Sequence, residues 1–370
     1  MFTPYRFCSS SRRNYSEVEL MELNQKATQA FKEGNYEEAI DLWEVVSRSE
    51  NHSRDSPAVI SCLNNLASVY GKIGKNVRKI EILESARQVA ERVYGVKHPQ
   101  YAMSLYHLAC AKEEVGMYED MCRCVEESLA VHEKHFNPKS IKVARVLLLL
   151  ANAHEKLGQP GAQLSSAERA YEITKHHYGA EHMQTASALM ILGRAYGANN
   201  QPEQYLKLAQ RAFEIQENRL GANNPQLALG LLELAKAHAA SGDYVKQKEL
   251  LEQAIGVQEQ ALGEQPTYLV DTYLSLGDAY RQFGEVASMA QCYNEALKIA
   301  QHRDGENPVE VGRAATKAAL GNLQQGSLAK ARRLADEATE LLSMVSPSHP
   351  LAKELTEIKE KLAEKEKRKQ

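Results

Sequence analysis

Eight residues that favour a left-handed backbone stand in phase along this chain. Gly34, Gly74, Gly116, Gly158, Asn200, Gly242, Gly284 and Gly326 are separated by 40 residues once and then by 42 residues six times. Asn200 fits the series physically, because Asn follows Gly as the residue best suited to a left-handed helix end. Seven positions before each anchor sits a small residue: Ala27, Ala67, Ala109, Ala151, Gly193, Ala235, Gly277 or Ala319. Leu stands just ahead of it at 66, 108, 150, 192, 234 and 276, and Ala recurs twelve after the anchor at 86, 170, 212, 254, 296 and 338. At helical pitch these offsets put small and apolar residues on one stripe of each of two helices. The repeating unit is therefore an antiparallel helical hairpin, closed by the anchor.

Proline checks this independently, since helix interiors exclude it. Pro57, Pro99, Pro225, Pro266, Pro308 and Pro350 fall in the expected links, Pro138 in a shortened one, and Met183 takes the equivalent place. Pro160 and Pro202 fall in the first turn of a second helix, where Pro is tolerated. A hairpin apolar on two faces cannot bury both alone, so such units stack into a solenoid. Residues 17–350 are expected to form about eight hairpins. In residues 351–370, Leu351, Leu355, Ile358 and Leu362 make one apolar stripe among Lys and Glu, which predicts a C-terminal helix capping the stack; a short coiled-coil contact is the rival reading.

These residues resemble the tetratricopeptide repeat, most closely in the first unit, with Ala27, Gly34, Asn35, Tyr36, Ala39 and Trp43. The 42-residue period, the links Tyr94-Gly95 to His98-Pro99 and Leu220-Gly221 to Pro225, and the run Leu63-Asn64-Asn65-Leu66-Ala67 look like the long-helix subtype of kinesin light chains. The resemblance implies an all-α, right-handed superhelical solenoid whose first helices line an inner groove. Kinesin light chains also carry a heptad region ahead of their repeats; only a short segment precedes the first helix here.

Composition narrows the function. Against 48 acidic residues stand 45 basic ones, a formal net charge of −3, so no general attraction to nucleic acid is expected. No apolar run approaches the roughly 20 residues of a bilayer-spanning helix. Six cysteines with no Cys-x-x-Cys pair argue against a disulfide framework or a structural zinc. Cys122 and Cys124 point apart on a helix and read as core residues. No phosphate loop, nucleophile elbow or His-Glu-x-x-His pair occurs, so no enzyme, metal or cofactor is expected. His132 and His135 read as a solvated helix end, and His154 and His238 as packing residues at a position that Tyr fills elsewhere.

Residues 1–16 carry Arg6, Arg12 and Arg13, four serines and no acidic residue. That is the composition of a mitochondrial transit peptide, with processing expected after Tyr15; a disordered tail is the alternative.

The resemblance assigns the inner positions. Asn24, Asn64, Asn65 and Asn152 are expected to pair with a bound peptide backbone, beside Tyr106 and His107. Arg145, Arg194 and Lys236 are expected to make a positive middle section suited to an acidic stretch, with Asp271, Asp278, Arg281 and Arg313 further on. Solvated polar positions are the alternative for each. Reversing Arg194 and Lys236 together is expected to weaken partner capture without changing stability. The function expected is a non-enzymatic scaffold binding a protein segment, as an assembly factor or structural subunit of a mitochondrial complex; a cytosolic cargo or signalling adaptor is the alternative.

Overall fold

The computed structural model describes residues 15–48, 56–221, 224–259, 269–302, 308–343 and 349–367. Most of the expected targeting segment therefore lies outside the described residues, as do Pro4 and Pro266. Among those described are seventeen α-helices and no strand, an all-α repeat fold as expected. Two compact units are distinguished, one ending at Phe136 and one beginning at Asn137.

The first unit holds three hairpins: α1 (Glu17–Lys32) with α2 (Tyr36–Arg48), α3 (Pro57–Lys72) with α4 (Asn76–Tyr94), and α5 (Pro99–Glu114) with α6 (Tyr118–His135). The second holds five more and a final helix: α7 (Ile141–Lys156) with α8 (Pro160–Tyr178), α9 (Met183–Ala198) with α10 (Pro202–Leu220), α11 (Leu227–Ala240) with α12 (Tyr244–Glu259), α13 (Leu269–Gln282) with α14 (Val286–His302), α15 (Pro308–Gln324) with α16 (Leu328–Leu341), then α17 (Pro350–Lys367). Local chemistry starts the helices. Ser16 caps α1 by accepting from the Glu19 amide, while the Glu19 carboxylate accepts from the Ser16 amide at 2.7 Å. Pro57, Pro99, Pro160, Pro202, Pro308 and Pro350 each occupy the first helical position.

Every anchor does what its spacing predicts. All seven glycines have φ between 65° and 84°, and Asn200 is the one non-glycine with positive φ among the described residues, at 57°. At each of them the next amide reaches back to a carbonyl five residues upstream, as in Lys75 to Tyr70 (2.9 Å), Gln201 to Tyr196 (3.0 Å) and Ser327 to Asn322 (2.9 Å). These bonds satisfy carbonyls that a helix end leaves orphaned.

The small residues are the packing points. Ala27, Ala67, Ala109, Ala151, Ala235 and Ala319 are 0–2% exposed, and so are the second-helix alanines 86, 170, 212, 254, 296 and 338. Gly193 and Gly277 replace Ala in this series because a tyrosine ring lies on each. Tyr205 rests on Gly193 and Gly197, and Tyr293 lies closer to Gly277 than a real Cβ could stand. Gly277→Ala is expected to push Tyr293 aside and cost about 1–3 kcal/mol, read as a lower denaturation midpoint with unchanged slope.

The last helix behaves as a cap. Leu351, Leu355, Ile358 and Leu362 are buried against α15 and α16. Lys317 bonds Glu354 at 2.9 Å and Arg332 pairs with Glu366, which orients the polar side of α17. One expectation needs correcting. His132 is 1% exposed, not solvated: its Nδ1 lies 2.8 Å from the Ser128 carbonyl and its ring meets Phe136. Three residues on, His135 is exposed. The ring follows the inward stripe of α6, which the chain's charge pattern does not reveal.

Candidate functional site

In the second unit the first helices of successive hairpins touch one another, α7 with α9, α9 with α11, α11 with α13 and α13 with α15. The second helices of neighbouring hairpins come less close. The first helices therefore form the inner row of this unit, and their polar side chains meet across the repeats.

Arg194 sits at the centre of that row. From α9 its guanidinium reaches Glu155 on α7 at 3.1 Å, Asn152 on α7 at 3.2 Å and Glu233 on α11 at 3.4 Å. Glu233 is 3% exposed; it also accepts from Lys236 at 2.9 Å and from the Tyr205 hydroxyl at 3.4 Å. Burial pushes the Glu233 carboxyl up, but Lys236 and Arg194 outweigh it and hold the group below the ordinary carboxylate range. Burial works against the Arg194 charge, yet Glu233 and Glu155 raise its pKa further. Tyr205 is held protonated, first by burial and then by Glu233. A neutral, mutually satisfied cluster results.

Further along, Asp271 on α13 pairs with Arg313 on α15. Asp278 accepts from Tyr293 at 2.6 Å and from Lys317 at 3.3 Å. Glu155–Arg194, Arg194–Glu233 and Asp278–Lys317 each span 39 residues, and Asp271–Arg313 spans 42. The links thus follow the repeat, or the repeat less one helical turn.

Family models described as tetratricopeptide repeat match residues 59–100, 185–226 and 270–303. These three stretches are tetratricopeptide repeats. No curated protein sequence matches it significantly. Several solved structures resemble it. Rap protein complexed with Competence and Sporulation Factor aligns over 94% of this chain and 99% of its own, at 14% identity and a TM-score of 0.58. A tetratricopeptide repeat protein from Parabacteroides merdae aligns over 82% and 98%, at 14% identity and 0.57. Kinesin light chain repeats from Podosopora anserina align over 57% and 100%, at 24% identity and 0.49. The first two likenesses establish the fold.

The expected groove residues divide between the two units. In the first, the Asn24 side-chain oxygen is already taken by the buried Trp43 indole, which donates to it at 2.8 Å. Asn64, Asn65 and Tyr106 are half-buried. Asn64 lines a cleft of about 420 Å³ with Ser68, Gly71, Lys79, His107 and Glu114. Its Oδ1 is buried there without a hydrogen-bond partner, so that atom is available to a donor. Lys79 crosses Gly71, which leaves room for its stem, and bonds Glu114 at 2.6 Å. Desolvation and the Lys79 charge push the His107 pKa below the ordinary imidazole value.

In the second unit, Asn152, Arg194 and Lys236 are gathered into the cluster around Glu233, while Asp278 lies with Lys317 and Tyr293. Arg145 and Arg281 are exposed and make no ion pair among the described residues. Arg194 and Lys236 do not present free charge, because Glu233 takes both. Reversing them strands that buried carboxylate, so stability is not left unchanged as expected from sequence. The residues that sequence reasoning missed are Glu233, Tyr205, Lys317 and Glu354. Opposite charges 39 residues apart were the signal that could have found the first and third.

His154 and His238 reach across their own hairpin turns, to Gln159 at 2.8 Å and Asp243 at 3.2 Å. Burial pushes the Cys62, Cys110, Cys122 and Cys292 thiols up to about 11, so thiolate is scarce at neutral pH and none is prepared as a nucleophile. No helix among the described residues is long and apolar enough to cross a membrane.

Proposed function

We propose that this protein is a non-enzymatic scaffold that holds a segment of a partner protein along its row of first helices, as an assembly factor or structural subunit of a mitochondrial complex. The observation that carries the interaction reading is the polar inner row itself. Hydrogen-bonding groups from α7, α9, α11, α13 and α15 converge there, where a stack needing only stability could bury apolar side chains. The acid-free, Arg- and Ser-rich start supports the mitochondrial part. A cytosolic adaptor is the second reading, favoured by the 42-residue period and the Gly- and Pro-marked links.

A photo-reactive amino acid in place of Arg145, on the inner row, is expected to capture a partner from intact mitochondria. The same group in place of Lys207, exposed on the second helix α10, is expected to capture none. Capture only at Lys207 overturns the inner-row reading. Arg145→Glu is expected to weaken capture about tenfold without moving the melting temperature, because the side chain is exposed and unbonded. A C-terminal fluorescent tag giving a diffuse cytosolic signal removes the mitochondrial reading and leaves the adaptor.

A further inference from the structure

We propose that His98 and His182 are acid-sensitive joints of the stack. Each holds the first turn of a first helix through an unprotonated ring nitrogen, and a proton there releases that turn. This inference stands whatever the inner row holds.

The two histidines share one position of the repeat, since Ser56, His98, Ser140, His182 and Asn224 follow one another at intervals of 42 residues. His98 precedes α5, and its Nδ1 accepts from the Gln100 amide at 3.1 Å. His182 precedes α9, and its Nδ1 accepts from the Gln184 amide at 3.1 Å. Asn224 takes the same bond from Gln226 at 2.9 Å, and Ser140 takes it from Lys142 at 3.3 Å. An amide or hydroxyl oxygen makes this cap without regard to pH. An imidazole makes it only while Nδ1 keeps its lone pair, because a backbone amide can only donate. Protonation turns that acceptor into a donor facing a donor and sets a positive charge at the positive end of a helix. The bond is therefore present above the ordinary imidazole range, about pH 6.5, and is lost as pH falls through it.

The surroundings let the charge form in place. Both rings are half-buried, and each lies flat on a tyrosine, His98 on Tyr94 at 4.6 Å and His182 on Tyr178 at 4.5 Å. A tyrosine face attracts a cation, so the ring stays seated when charged and the capping bond gives way instead. His98 also faces His135 of α6 at 6.2 Å and follows Lys97 in the chain. His182 follows Glu181, whose carboxylate is taken by Arg211 and whose carbonyl accepts from Arg219 at 3.3 Å. His177 meets the edge of Tyr178. Acid thus loosens α5 in one unit and α9, which carries Arg194, in the other. The first turns of α7 and α11, held by Ser140 and Asn224, keep their bonds.

Amide hydrogen exchange on the full chain reads each turn separately, as protection relative to the intrinsic rate at each pH. Between about pH 7.5 and about pH 5.5, the protection of the Gln100 and Gln184 amides is expected to fall about fivefold. Over the same range the Lys142 and Gln226 amides are expected to keep theirs. His98→Asn combined with His182→Asn, which copies the chain's own Asn224, is expected to remove the fall. No loss at Gln100 and Gln184 overturns the proposal, and so does an equal loss at all four amides. A fall that survives in the asparagine variant overturns it as well. Should that variant not fold, the four wild-type amides decide alone.

Discussion

Ala235→Arg is expected to abolish the native packing around α11. The residue is fully buried, and it lies in the contact between α11 and the hairpins on either side. The apolar packing around it leaves no space for a guanidinium. Overpacking costs about 1–3 kcal/mol, and an uncompensated buried charge costs about 3–5 kcal/mol more. Together these approach the whole stability of an ordinary domain, about 5–15 kcal/mol. In a stack each hairpin also lends stability to its neighbours, so the damage spreads to α9 and α13. Circular dichroism should show lost helix content, and limited proteolysis should cut within α11. Ala235→Ser, which adds one small atom, is the control expected to melt near the wild type. Retention of wild-type melting by the arginine variant contradicts the packing described for α11.

Glu233→Ala is expected to be the most damaging loss of a single polar group, at about 3–5 kcal/mol. It leaves Arg194, largely buried, with Glu155 as its one remaining ion-pair partner and leaves the Tyr205 hydroxyl without its acceptor. The pair is not expected to add much over a well-packed apolar substitute, so Arg194→Met combined with Glu233→Met should recover most of the loss. A thermodynamic cycle over the two single variants and the double measures that recovery.

The same carboxylate predicts a pH signature. Its pKa is depressed in the folded chain, so its stabilisation is fully present above the unfolded value of about 4.3. That stabilisation fades as pH falls through the lower, folded value. The gap in melting temperature between the wild type and Glu233→Gln should therefore be widest near neutral pH and shrink below about pH 4. A gap that stays constant down to acid pH shows that the charge on Glu233 contributes nothing.

The hairpins were legible because their requirements are local. A left-handed turn needs Gly or Asn whatever surrounds it, so Gly34 to Gly326 could be read in series, Asn200 included. Close helix contacts need small residues, and the alanines at those offsets are buried as expected. The cap was legible from the spacing of Leu351, Leu355, Ile358 and Leu362. Side-chain pairing was not, because it depends on the register between hairpins. The chain shows Arg194 and Lys236 as two cations; only the stacking of α9 against α11 shows Glu233 between them. Trp43 taking the Asn24 oxygen is a similar case, since the two lie on opposite arms of the first hairpin. His132 was misread because an imidazole near charged neighbours gives no sign of which way its helix turns.

The bends between helices carry one more implication. At each of them the backbone meets its own needs, one amide closing on one carbonyl, and asks of the sequence only a residue that tolerates positive φ. Other positions at the bend are held less strictly. The eight copies can therefore drift apart in wording while keeping their geometry. That freedom accounts for a chain whose hairpins are alike in form although family models pick out only three stretches of it.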